Sequence, residues 1–141
     1  MKSKIMIFGI CALMLLVVFS SGCLEDLFGS QKEEIKPHAE VQNWNAESKW
    51  SLSIGYYLDC SFEVINTGDN VASGLSVYVK AIDQNNIIEY EHTFNVGSLD
   101  VNQKETLSCI IDYEDEDNYV MVYITCNWDG GSSMFTRKII V

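Results

Sequence analysis

At 141 residues the chain has room for one domain and an appendage, and its 20 acidic against 9 basic residues give a net charge of −11. That sign is wrong for gripping nucleic-acid phosphate, and wrong for a body lying flat on an anionic leaflet. The two histidines, with no CxxC or HxxxH spacing, offer no zinc-type ligand set.

The N-terminus reads as a targeting segment. Lys2 and Lys4 precede the uncharged run Ile5 to Phe19, and Ser20-Ser21-Gly22 leads into Cys23. A basic start, a short apolar run and small residues make up a secretory signal. The run falls short of the roughly 20 apolar residues a spanning helix needs, unless it is extended to Leu24. All 20 acidic residues follow Cys23, which places the acidic body outside if the two lysines stay inside.

Cys23 has three readings: lipid attachment after cleavage, an idle thiol beside an uncleaved signal anchor, or ordinary cleavage with release. SSGC resembles a lipobox, with Ser20 where Leu or Val is usual, and residues 1–26 resemble the start of small predicted lipoproteins of methanogenic archaea. That resemblance implies a lipid on Cys23. The expected organisation is a signal peptide or anchor helix at 1–22, a tether at 23–40 and a folded domain at 41–141. Residues 24–40 contain the only proline, Pro37, and fully extended would reach about 60 Å.

From Val41 the pattern alternates with period two, the signature of strands. Leu58, Cys60, Phe62 and Val64 form one inward set, and Leu75, Val77, Val79 and Ala81 a second. Leu107, Cys109 and Ile111 form a third, and Val120, Val122, Ile124 and Cys126 a fourth. NTGDN at 66–70, DQNN at 83–86 and WDGGSS at 128–133 supply turns between them. At 66–70, Asn66 is expected to bond its own backbone, and a tolerance of positive φ is expected to turn the chain. About seven short strands in 100 residues predict an all-β antiparallel sandwich.

INTGDNVASGLSVYVKAIDQNNII followed by VGSLDVNQKETLSCII resembles the immunoglobulin-like domains called CARDB and FxLYD. The matching features are Asn66 and Gly68, Val77 and Val79, Asp83 to Asn86, Gly97 and Leu99, and Glu105-Thr106. The usual Pro-Gly before the acidic residue is replaced by Val101-Asn102-Gln103-Lys104. The resemblance implies an immunoglobulin or fibronectin-III-like sandwich used as a surface interaction module, with no catalytic residues and no cofactor.

In immunoglobulin order, Cys60 falls on the second strand, Cys109 on its neighbour and Cys126 across the sandwich. Cys60 and Cys126 are then offset by about 13 Å, too far for a bridge. Cys60–Cys109 is the better disulfide pair, and three buried reduced thiols remain the alternative. Tyr78 and Tyr123, with Met121 and Ile82 nearby, are expected on one outward face, as a partner surface or an ordinary cross-strand pair. Asp112, Glu114, Asp115, Glu116 and Asp117 form an acidic loop that reads as solvated or as a weak Ca²⁺ site. His38 falls in the tether and His92 on a half-exposed strand.

These readings predict a membrane-tethered, extracytoplasmic, non-catalytic module for protein binding or envelope structure. An accessory solute- or Ca²⁺-binding lipoprotein of a transport system is the alternative.

Overall fold

The computed structural model describes residues 34–141; the signal or anchor segment, Cys23 and residues 24–33 of the tether lie outside the described residues. The described chain forms seven strands: β1 (Ala39–Ser51), β2 (Gly55–Asn66), β3 (Ala72–Asp83), β4 (Ile88–Leu99), β5 (Lys104–Tyr113), β6 (Tyr119–Trp128) and β7 (Gly131–Ile140). They pair antiparallel in two sheets, ordered β1-β2-β5 and β4-β3-β6-β7.

The period-two sets become the two inner faces. Leu58, Cys60, Phe62 and Val64 on β2 join Cys109 and Ile111 on β5 to form one. Val77, Val79 and Ala81 on β3 join Val120, Val122, Ile124 and Cys126 on β6 to form the other. β-branched side chains dominate the β3–β6 face, because they fill a pleated inner face with little rotamer freedom to lose. β2 and β3 lie inside their sheets and alternate cleanly between buried and half-buried positions, whereas β1, β4 and β7 are edges with more exposed patterns.

Edge irregularity follows from local chemistry. In β1 the register shifts between Gln42 and Asn45, where Asn43 takes a φ of 50°. This bulge restores the inward phase, so that Val41, Trp44 and Ala46 all meet the core. In β4, Gly97 at φ 90° marks a second irregularity, opposite Leu75.

Asn66 is a buried hub. Its Oδ1 accepts from the backbone N–H groups of Gly68 at 3.1 Å and His38 at 3.3 Å, and its Nδ2 donates to the carbonyls of Asn70 at 2.7 Å and Leu99 at 2.9 Å. Its backbone bonds Gln103 and Asn102. One side chain thus joins the segment before β1, the β2–β3 turn and the β4–β5 turn. The expected bond of Asn66 to its own backbone is present.

The expected positive φ in this turn is absent at both Asn66 and Gly68. Gly68 is required by close approach instead: a Cβ there would lie 2.3 Å from the Lys36 carbonyl oxygen and 2.4 Å from the His38 nitrogen. Thr67 and Asp69 donate backbone hydrogen bonds to His38 and Lys36. Residues 36–38, part of the expected tether, are therefore strapped onto the turn, and β1 begins at Ala39. The substituted β4–β5 turn works through Asn102, whose φ of 62° does what a glycine would do there.

Candidate functional site

Strand direction sorts the loops into two poles. The chain comes onto the sandwich at Ala39, beside Asn66, the β4–β5 turn and the β6–β7 hairpin. β1 then runs 13 residues, about 40 Å, to the other pole. There the β1–β2 hairpin, the β3–β4 turn, the β5–β6 loop and the end of β7 come together.

That pole carries two kinds of chemistry. The first is acidic. Carboxylate oxygens of Asp83, Glu89 and Asp117 lie within 4.8 Å of one another. Asp83 ends β3 on its inward phase and is only 4% exposed. Its carboxylate accepts from the backbone N–H groups of Asn85 at 2.9 Å and Ile87 at 2.6 Å, and from Asn85 Nδ2 at 3.0 Å. Asp117 accepts the Glu114 N–H at 3.0 Å, which closes the β5–β6 loop on itself. Gln84 ties the two loops together, donating to the Glu116 carbonyl at 3.3 Å and accepting from Asn118 at 2.7 and 2.9 Å.

Glu89 has its pKa raised, first by partial burial and then by the charges of Asp117, Asp83, Glu114 and Asp112. Of the five acids read as a solvated loop or a weak Ca²⁺ site, only Asp117 joins the cluster. Asp112 and Glu114 act on it through their field, and Asp115 and Glu116 are exposed. Sequence reading missed Asp83 and Glu89. The signal for Asp83 was its place after Leu75, Val77, Val79 and Ala81, a carboxylate continuing a buried phase.

The second chemistry is apolar. Leu52 at the hairpin tip is 93% exposed, Trp50 57% and Ile54 46%. The tip is ordered by Ser51, whose hydroxyl accepts the Ile54 N–H at 3.2 Å. Tyr56 continues the inward phase of β2 past the core and meets Tyr113 with ring centroids 5.8 Å apart. Ile87 on the β3–β4 turn, Ile88 at the start of β4 and Ile140 on β7 add further exposed apolar side chains at this pole.

The expected tyrosine face exists on the β3–β6 pair, all of it half-buried. Ile82 pairs with Met121, Lys80 with Tyr123, and Tyr78 with Thr125, so the tyrosines are diagonal neighbours. The Tyr78 hydroxyl donates to Glu91, an interaction that raises its pKa. His92 is exposed on edge strand β4 between Tyr90 and Phe94, its ring centroid 4.6 Å from that of Phe94. His38 stacks edge-on against Trp128 at 5.7 Å. Cys60, Cys109 and Cys126 are buried free thiols. Cys60 pairs directly with Cys109, and Cys126 lies on the opposite sheet.

No family model matches the chain, and no curated protein matches it. Among solved structures it is similar to the structural genomics target SoR45, at 18% identity and a TM-score of 0.42, over 73% of this chain and 81% of that one. It is also similar to part of beta-glucosidase 3B from Thermotoga neapolitana in complex with alpha-D-glucose, at 13% identity and a TM-score of 0.40. That match covers 84% of this chain and 20% of the glucosidase. Likeness at this level carries no argument about activity.

Proposed function

We propose that the protein is a membrane-tethered, extracytoplasmic β-sandwich of the immunoglobulin or fibronectin-III-like kind, which binds a protein partner and catalyses nothing. The strand order, with β4 beside β3, supports the fibronectin-III-like variant. The signal-like N-terminus and Cys23 support the tether, with Cys23 as its lipid anchor. The observation that carries the binding role is the ordered apolar hairpin tip, Trp50, Leu52 and Ile54, held in water at the pole opposite the point of chain entry. Exposed apolar clusters of this kind mark contact surfaces. The tyrosine face is the weaker candidate, because its side chains are half-buried against one another.

Photo-crosslinkers placed in the full chain at Leu52, at Tyr78 and, as a control, at Ser108 test this reading in native membranes. A discrete adduct from position 52 that is lost on Trp50→Ser is expected. An adduct from position 78 alone moves the contact to the tyrosine face, and no adduct from either refutes the binding role.

The convergence of Asp83, Glu89 and Asp117 favours a second reading, a Ca²⁺-binding accessory lipoprotein. Three carboxylates supply part of the six to eight oxygens that Ca²⁺ requires. A thermal shift with millimolar Ca²⁺ that Asp117→Asn abolishes would establish it; an unchanged melting curve refutes it.

A further inference from the structure

Cys60 and Cys109 are direct register partners on β2 and β5, each a buried free thiol. Directly opposed residues of an antiparallel pair have Cα atoms about 4.5–5.5 Å apart, within the range a disulfide spans. Cβ atoms of directly opposed residues stand about 4.5–5.5 Å apart against about 3.5–4.5 Å in a disulfide, so closing the bridge asks for a movement of about 1 Å. β5 can supply it, being an edge strand paired only with β2. Cys126 cannot compete: its register partners are Val77 and Ser133, on the other sheet.

We infer that Cys60 and Cys109 are a redox-active pair that closes to a cross-strand disulfide, leaving Cys126 as a permanently reduced core thiol. The oxidant is a thiol–disulfide exchange partner, either a small-molecule disulfide or an exported oxidoreductase in its disulfide form. The Cys109 thiolate attacks the oxidant's disulfide, forming a mixed disulfide and releasing one thiol, which takes up a proton. Cys60 then gives up its proton and attacks the Cys109 sulfur, and a second thiol leaves. Two protein thiols are oxidised by two electrons as one external disulfide is reduced.

The order of attack follows from position and contact. Cys109 lies on the edge strand and keeps 7% of its surface exposed, while Cys60 keeps none. The hydrogen bond from Cys60 lowers the Cys109 pKa, whereas contact with Cys109, followed by burial, pushes Cys60 up.

The bridge would close a loop of about 50 residues, worth roughly a thousandfold in the folding equilibrium. Its occurrence in cells rests on the extracytoplasmic placement proposed above; its geometry does not. The test uses the full chain in detergent, refolded with oxidised glutathione, alkylated and mapped by peptide mass.

A peptide joining Cys60 to Cys109 is expected, with Cys126 alkylated only after unfolding. The melting temperature should fall by about 20 °C on reduction in the wild type and in Cys126→Ala, and should not respond to reductant in Cys109→Ala. Both thiols remaining alkylatable, glutathione trapped on Cys109, or a bridge to Cys126 would overturn the pairing. A bridge that forms on refolding while acid-quenched cells show both thiols reduced supports the pair and refutes the extracytoplasmic placement instead.

Discussion

At the scale of single residues, the described chain spends its polar chemistry on holding turns. Asn66 satisfies four partners through one buried amide, and removing that amide strands two N–H groups and two carbonyls. Each stranded group costs about 1–3 kcal/mol when it stays dry. Asn66→Ala is therefore expected to destabilise the fold by about 3 kcal/mol or more, read as a lowered urea midpoint.

Gly68→Ala acts differently. The new methyl meets backbone rather than a flexible side chain, so residues 36–38 must lift off the turn. The expected result is rapid amide exchange at Thr67 and Asp69, whose bonds to His38 and Lys36 are lost, with protection of β2 and β3 unchanged. Global exchange in that variant would show that the strap is part of the cooperative core.

Elements differed in how far their sequence betrayed them, for physical reasons. β2, β3, β5 and β6 bury one face, and their alternation is written in Leu58 to Val64, Leu75 to Ala81, Leu107 to Ile111 and Val120 to Cys126. β1 hides its phase behind the bulge at Asn43, and β4 and β7 are edges where burial selects side chains weakly. The candidate site was half legible. Asp117 stood out within an acidic run, whereas Asp83 and Glu89 reach it only through pairing between distant segments. The apolar tip Trp50, Leu52 and Ile54 alternates with Ser51 and Ser53 just as a core strand does, and only its exposure in the fold separates it from the buried sets.

The loops at that pole also predict a pH response. Glu89 holds its proton more tightly in the folded state than in the unfolded chain, where a glutamate titrates near about 4.3. The folded state is thus favoured while Glu89 is protonated, and stability falls as pH rises through its raised folded value. Glu89→Gln removes the repulsion with Asp83 and Asp117. The variant should gain about 0.5 kcal/mol at pH 7 and nothing at pH 4, measured by thermal melting at both values.

On the scale of the whole molecule, an excess of acidic over basic side chains leaves few cations to offset repulsion. Ion pairs among the described residues include Lys49 with Asp59 and Glu47, and Lys104 with the half-buried Glu63, and they lie at the surface. Screening the remainder should raise the melting temperature by a few degrees between about 10 mM and 300 mM salt, because the Debye length shrinks below the distances between surface charges. A melting temperature that fell with salt would mean that attractive pairs outweigh the net charge.

The strap at Lys36–His38 has a mechanical consequence. A tension applied between the N-terminal chain and the far hairpin tip runs along the axis of β1. The ladder between β1 and β2 then bears load sideways, with many hydrogen bonds resisting together, while the two strap bonds to Thr67 and Asp69 meet the force first. The segment before Ala39 would peel away as a short extensible leash before any strand yields. The domain is thereby built as a link with a soft first stage and a stiff second one.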